Sequence, residues 1–268
     1  MKLSDLLPPP IRQFVRDRMT VYIYTYGFRP SPCIEEQLLT FSFRGRKLTA
    51  MANHRTALYD TILDVVDHDC YQLEKLVWEP AGNHNILDIG ANVGVTALVL
   101  AQIPGARVTS YEPDPENCAL LRGNIERNGL TNIAVREAAV GASNGKLLFQ
   151  LHEESTGGAL AQNGCGAKTL TVDAVTLDRA VEESAPGGGE ISLLKCDCEG
   201  GEYDLLEQLT PSLARRIRNL TMEVHDLDGT RNVQWVSNKL SGLGYEVSCA
   251  PDLWERGALH LVLARQAS

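Results

Sequence analysis

The sequence predicts an α/β protein: a doubly wound, mostly parallel seven-stranded sheet with a small N-terminal α+β cap. Three observations carry the prediction. From about residue 69 onward, short apolar runs suited to buried parallel strands alternate with helix-forming stretches. The first run, Asn85-Ile86-Leu87-Asp88-Ile89, passes through a turn containing Gly90 and Gly94 into an apolar helix, the layout of a ligand-binding βα unit. The last two runs, 244–249 and 258–264, have no helix between them, which places one antiparallel strand near an edge.

Residues 1–68 fall outside the alternation and are read as a substrate-side cap; residues 69–268 form the ligand-binding domain. Within the cap, residues 11–26 are amphipathic and aromatic. Residues 38–52 read as a hairpin, because Leu39, Phe41 and Phe43 alternate with polar residues before the turn Arg44-Gly45-Arg46. Helices are predicted over 56–66 and 70–78. The core then runs strand 86–90, helix 94–103, strand 107–112, helix 115–128 and strand 132–137. Residues 146–151 and 169–172 read as β segments flanking a glycine-rich loop at 156–166, with a helix following at 175–183. Strand 191–197, helix 203–209, strand 219–225 and helix 230–241 lead into the final two strands.

Composition excludes several classes. A net charge of −9 argues against a nonspecific nucleic-acid binder. No stretch reaches the roughly 20 apolar residues of a membrane span, and the N-terminal residues lack a signal-peptide core, so a cytoplasmic protein is expected. Seven scattered cysteines in a chain of 268 residues read as reduced thiols, with Cys196 and Cys198 sharing one strand face in packing. The charge is uneven. Residues 1–60 hold nine Lys or Arg and five Asp or Glu, whereas the remainder holds 16 and 29. The basic segment faces either an anionic substrate or the acidic body.

The turn after the first strand has the spacing Asp-x-Gly-x-x-x-Gly, with Asn92 where a dinucleotide fingerprint has glycine. Asp88 would repel a phosphate and suits an ammonium or a sulfonium. Glu112 ends the second strand, where a carboxylate accepts the two hydroxyls of an adenosine ribose. Together they point to S-adenosylmethionine. Asp88 and the backbone of Gly90, Ala91, Asn92 and Gly94 are expected to cradle its methionine end, the glycines letting the main chain approach the ligand. Pro113 and Asp114 are expected to shape the adenine edge, with Ala138 a backbone contact on the same side.

Three blocks resemble the FkbM family of class I S-adenosylmethionine-dependent methyltransferases: Leu87-Asp88-Ile89-Gly90-Ala91-Asn92-Val93-Gly94, Tyr111-Glu112-Pro113-Asp114-Pro115-Glu116-Asn117, and Lys195-Cys196-Asp197-Cys198-Glu199-Gly200-Gly201-Glu202. The third matches a Lys-x-Asp-x-Glu-Gly-x-Glu pattern and is the most specific. The cysteines at 196 and 198 depart from the branched aliphatics expected there. The resemblance spans roughly residues 55–265 and implies a Rossmann-like fold and methyl transfer, usually to a hydroxyl.

An alcohol is a weak nucleophile, so a base near the strand tips helps. Asp197 and Glu199 share one face of the fourth strand end, and Glu223 and His225 share one face of the fifth. The expected catalytic set is therefore His225 as base, Asp197 near the sulfonium, and Glu199 or Glu223 orienting. A divalent metal held by these groups, or capping of the next helix by the acids, are the alternatives. His54, His68, His84, His152 and His260 read as isolated, solvated or structural. The expected partner is a small-molecule acceptor; oligomeric state is open. N-methylation, a nicotinamide-dependent oxidoreductase and a silent binding module remain as alternative functions.

Overall fold

The computed structural model describes residues 36–53, 55–79, 82–151, 159–160, 168–198, 201–251 and 259–267. The aromatic segment 11–26, Glu199 and Gly200, and all but Ala159 and Leu160 of the glycine-rich loop lie outside them.

The hairpin forms as the alternation predicts. Strand β1 (Glu36–Phe43) pairs antiparallel with β2 (Arg46–Asn53), and Arg44 and Gly45 take the left-handed turn conformations. Helix α1 (Leu58–Ile62) runs into a π-helical turn over Leu63–Asp67. The helix predicted over 70–78 does not form; only a 3₁₀ turn, Leu73–Lys75, is present. The reason is local and tertiary at once. Asp69 and Gln72 adopt positive φ, and the Asp69 carboxylate accepts the main-chain N–H of Leu73 and Glu74. The Tyr71 carbonyl accepts the Thr221 hydroxyl at 2.9 Å, which pins the segment to the sheet.

The main sheet holds the seven predicted strands: β3 (His84–Ile89), β4 (Ala106–Tyr111), β5 (Ile133–Arg136), β10 (Leu193–Cys196), β11 (Asn219–His225), β12 (Tyr245–Pro251) and β13 (Leu259–Gln266). Their order is β12-β13-β11-β10-β3-β4-β5. Only β13 runs against its neighbours, one place in from the edge. Between β5 and β10, β6 (Ala139–Val140), β7 (Gly145–Leu151), β8 (Ala159–Leu160) and β9 (Lys168–Val175) form a separate four-stranded sheet.

Two-residue alternation sends strand side chains to opposite faces. Ile86, Val108 and Leu193 pack with α2 (Val95–Leu100), with Leu121 of α3 (Pro115–Arg127), and with Phe41, Leu48 and Leu58 of the N-terminal segment. Leu87, Leu194 and Met222 pack on the other face with α4 (Leu177–Ser184), α5 (Glu202–Gln208) and α7 (Val233–Gly242); a short helix, α6 (Pro211–Ala214), precedes β11. Every residue of α2 is buried, as expected of a helix apolar all round. The described part of the N-terminal segment therefore shares one core with the sheet.

Asn124 of α3 and Asn128, which caps its C-terminal end, dock the hairpin. Their amides exchange hydrogen bonds with the main chain of Met51 and Thr49, as a neighbouring strand would.

Candidate active site

A cavity of about 580 Å³ opens beyond the C-terminal ends of β3, β4, β10 and β11, where open α/β sheets bind ligands. Its floor is the turn after β3. Gly90, Asn92 and Gly94 all adopt positive φ. Asparagine tolerates this conformation better than most residues, which suits it to a position where a dinucleotide fingerprint has glycine. The glycines are required for a reason other than ligand approach. A Cβ on Gly90 would sit 1.7 Å from the Asp197 carbonyl oxygen, and one on Gly94 would sit 2.1 Å from Leu121 Cδ1.

Glu112 stands in the cavity wall just past β4. Its Oε1 accepts the Asp114 N–H at 2.9 Å and its Oε2 the Asn92 N–H at 2.8 Å. Burial pushes its pKa up to about 7, against the pull of those two N–H groups. Pro113, Ala138, Gly90, Ala91, Asn92 and Gly94 also line the cavity, together with Asn117, which the sequence reading did not single out.

Two cofactor-side expectations need correction. Asp88 is fully buried beneath the floor and does not line the cavity. Register sets it beside Ser110 of β4 and Lys195 of β10, with Thr221 of β11 next in line. Ser110 donates to its Oδ2 at 3.1 Å, and the Lys195 ammonium lies 3.4 Å from its Oδ1. This polar row crosses the core just below the strand tips. Asp114 likewise turns away from the cavity. It caps α3 by accepting the Glu116 N–H, with Pro115 at the first helical position, and pairs with Arg55 at 2.8 Å.

Lys195 is the residue the sequence reading passed over. It is 1% exposed, and its ammonium donates to the Gly90 carbonyl at 2.7 Å, tying the turn to β10. Burial alone would lower its pKa; the Asp197 and Asp88 carboxylates outweigh that and hold it above the ordinary lysine value. A lysine inside an apolar strand was the available signal, since such a charge must be paired.

At the far end, Asp197 and Glu223 line the cavity as expected. Asp197 accepts the Tyr71 hydroxyl at 2.8 Å and lies 3.6 Å from the Lys195 ammonium. Glu199 lies outside the described residues. His225 does not line the cavity. Its Nδ1 is 3.1 Å from the buried Glu202 Oε1, and its Nε2 is 3.9 Å from Glu223 Oε1. It stands behind Glu223 rather than at the reacting end. His68, read from sequence as isolated, is instead in the wall, with Nδ1 3.0 Å from Asp64 Oδ1. The Cys196 and Cys198 sulfurs are 3.3 Å apart, the first buried and the second at the cavity. Among the described residues, no group of three or more His, Cys, Asp or Glu side chains is arranged to hold a metal ion.

A family model, the methyltransferase FkbM domain, matches residues 88–247. The chain belongs to the FkbM methyltransferase family. The match runs from Asp88 through the third motif to β12, so it covers the floor, Glu112 and the far end of the cavity alike. Among similar proteins, the methyltransferase sdnD of Sordaria araneosa is 24% identical over 230 residues, covering 75% of this chain and 86% of that protein. The 31-O-demethyl-FK506 methyltransferase FkbM of Streptomyces tacrolimicus is 27% identical over 215 residues, covering 68% and 81%. A solved structure of methyltransferase FkbM from Methylobacillus flagellatus KT is 16% identical, with a TM-score of 0.48, covering 78% of this chain and 56% of that one. No helix among the described residues of this FkbM domain is long and apolar enough to cross a membrane.

Proposed function

We propose that the chain is an S-adenosylmethionine-dependent O-methyltransferase acting on a hydroxyl of a small molecule, sugar or natural product. One observation carries this reading: a single cavity joins the Gly90–Gly94 turn and Glu112 to the Asp197 and Glu223 carboxylates. S-adenosylmethionine supplies a methyl group on a cationic sulfur. The charge of the wall suits it. Asp60, Asp64, Glu112, Asp197 and Glu223 face the cavity, against the basic side chains Lys195 and His68. Lys195 is already engaged with the Gly90 carbonyl and two aspartates. Such a wall favours a sulfonium and disfavours the pyrophosphate of a nicotinamide cofactor.

In this reading Glu112 accepts the ribose hydroxyls, and the Gly90–Gly94 main chain supports the methionine end. The residues of the 57–71 segment that line the cavity, among them Ala57, Thr61, Leu63 and Tyr71, cover the reacting centre and exclude water. The relative from Streptomyces tacrolimicus is named for a 31-O-demethyl substrate, which supports oxygen as the accepting atom.

Glu112 makes the reading testable by pH. Two hydroxyl donors stabilise its ionised form, so the cofactor binds that form and lowers its pKa from about 7. Affinity for S-adenosylhomocysteine is expected to be nearly full at pH 8 and to fall about tenfold by pH 6. Glu112→Ala removes the carboxylate, and affinity should drop about tenfold or more with the pH dependence gone. Calorimetric titration at the two pH values measures both. Equal affinity at both pH values in the native chain, or native affinity in a folded Glu112→Ala protein, would remove the ribose assignment.

A further inference from the structure

We infer that Arg55, in the link between β2 and α1, is a positioning residue for the cofactor: it clamps the turn after β4 so that Glu112 meets the ribose. The inference rests on the ribose reading of Glu112 given above. It gives the N-terminal segment a part at the cofactor end of the cavity as well as over the reacting centre.

The Arg55 guanidinium spans two acids at the start of α3. One terminal nitrogen lies 2.8 Å from Asp114 Oδ2 and the other 2.7 Å from Glu116 Oε2. The Asp114 side chain is 4% exposed, so its charge needs a partner. Its other oxygen, Oδ1, accepts the Glu116 N–H. Asp114 is thus held at both carboxylate oxygens, and its own N–H donates to Glu112 Oε1 at 2.9 Å. Arg55 does not line the cavity; it acts on the ribose carboxylate through Asp114. Asn53 completes the grip. Its Oδ1 accepts the Arg55 main-chain N–H at 3.1 Å, and its Nδ2 donates to Glu116 Oε1 at 3.0 Å. A planar fork serves both carboxylates at once, whereas a lysine offers a single point charge.

Electrostatics act in the same direction. Glu112 is buried and must be ionised to accept two hydroxyls. Burial opposes that ionisation, and so does the Asp114 carboxylate. Arg55 offsets the Asp114 charge without entering the cavity.

The test compares S-adenosylhomocysteine with its 2′,3′-dideoxy analogue, which lacks both ribose hydroxyls, by calorimetric titration of the folded chain. The native chain should prefer S-adenosylhomocysteine about tenfold or more. Arg55→Met should cut that preference about fivefold. Arg55→Lys restores a charge but not the fork and should fall between the two. A change that only loosened the fold would weaken both ligands alike and leave the preference intact. An unchanged preference in Arg55→Met therefore overturns the inference. Should Arg55→Met fail to fold, Arg55→Lys carries the same comparison, and a native preference there overturns it. A native chain that shows no preference defeats the ribose reading, and one that binds neither ligand defeats the cofactor reading.

Discussion

Lys195→Met is expected to destabilise the fold by about 3–5 kcal/mol, the range for removing one partner of a buried ion pair. The methionine fills the same space but leaves Asp88 fully buried with only the Ser110 hydroxyl as a donor. Burial already raises the Asp88 pKa, and Lys195 is the largest opposing influence. Without it the folded-state pKa rises further above the unfolded value. The carboxyl then contributes stability below the ordinary aspartate pKa that is lost as pH rises through the folded pKa. Lys195→Met should therefore lie closer to the native chain at pH 5 than at pH 7.5. Urea denaturation at the two pH values gives the comparison. A loss under 1 kcal/mol at both would show that the polar row contributes little to stability.

Gly90→Ala should damage fold and cofactor site together. The left-handed conformation at φ +75° costs an alanine about 1–2 kcal/mol. Its Cβ would also sit 1.7 Å from the Asp197 carbonyl oxygen, a backbone atom that no rotamer change can move. Overpacking of this kind adds about 1–3 kcal/mol. Relief requires the turn and the residue after β10 to separate, which also breaks the 2.7 Å bond from Lys195 to the Gly90 carbonyl. Thermal unfolding should fall by several degrees, and affinity for S-adenosylhomocysteine about tenfold or more. Gly45→Ala is the control. Its φ is +77°, yet nothing lies within 4 Å of an added Cβ. It should show the conformational term alone and bind the cofactor normally. Equal losses in the two variants would mean that the approach of Asp197 to Gly90 has no role in the site.

The sheet was legible because its strands are apolar runs with turn residues between them. Ile86 to Ile89 and Leu193 to Cys196 are buried through their length, and Leu220 to Val224 at every position but Glu223. The uninterrupted pair β12 and β13 disclosed the antiparallel strand. The turn after β3 was equally readable, since Gly90, Asn92 and Gly94 are close in sequence and Glu112 follows the next strand.

What escaped the sequence depends on long-range contacts. Residues 69–75 carry a helix-like pattern, yet two left-handed residues break it, and Thr221 and Asp197 hold Tyr71 from more than 100 positions away. No local periodicity encodes that, so the placement of His68 beside the cavity was invisible. Asp88 sits at a strand end, where an acid reads as facing a ligand; only the register of Lys195 shows its partner. His225 was placed correctly at the end of β11, but Glu202 draws its ring behind Glu223.

The central claim is that the cavity beyond β3, β4, β10 and β11 holds S-adenosylmethionine. Titrating the native chain with S-adenosylhomocysteine and, in parallel, with NADH tests it most directly. The account predicts saturable binding of one S-adenosylhomocysteine per chain and no binding of NADH. Binding of NADH without S-adenosylhomocysteine, or of neither, would contradict it.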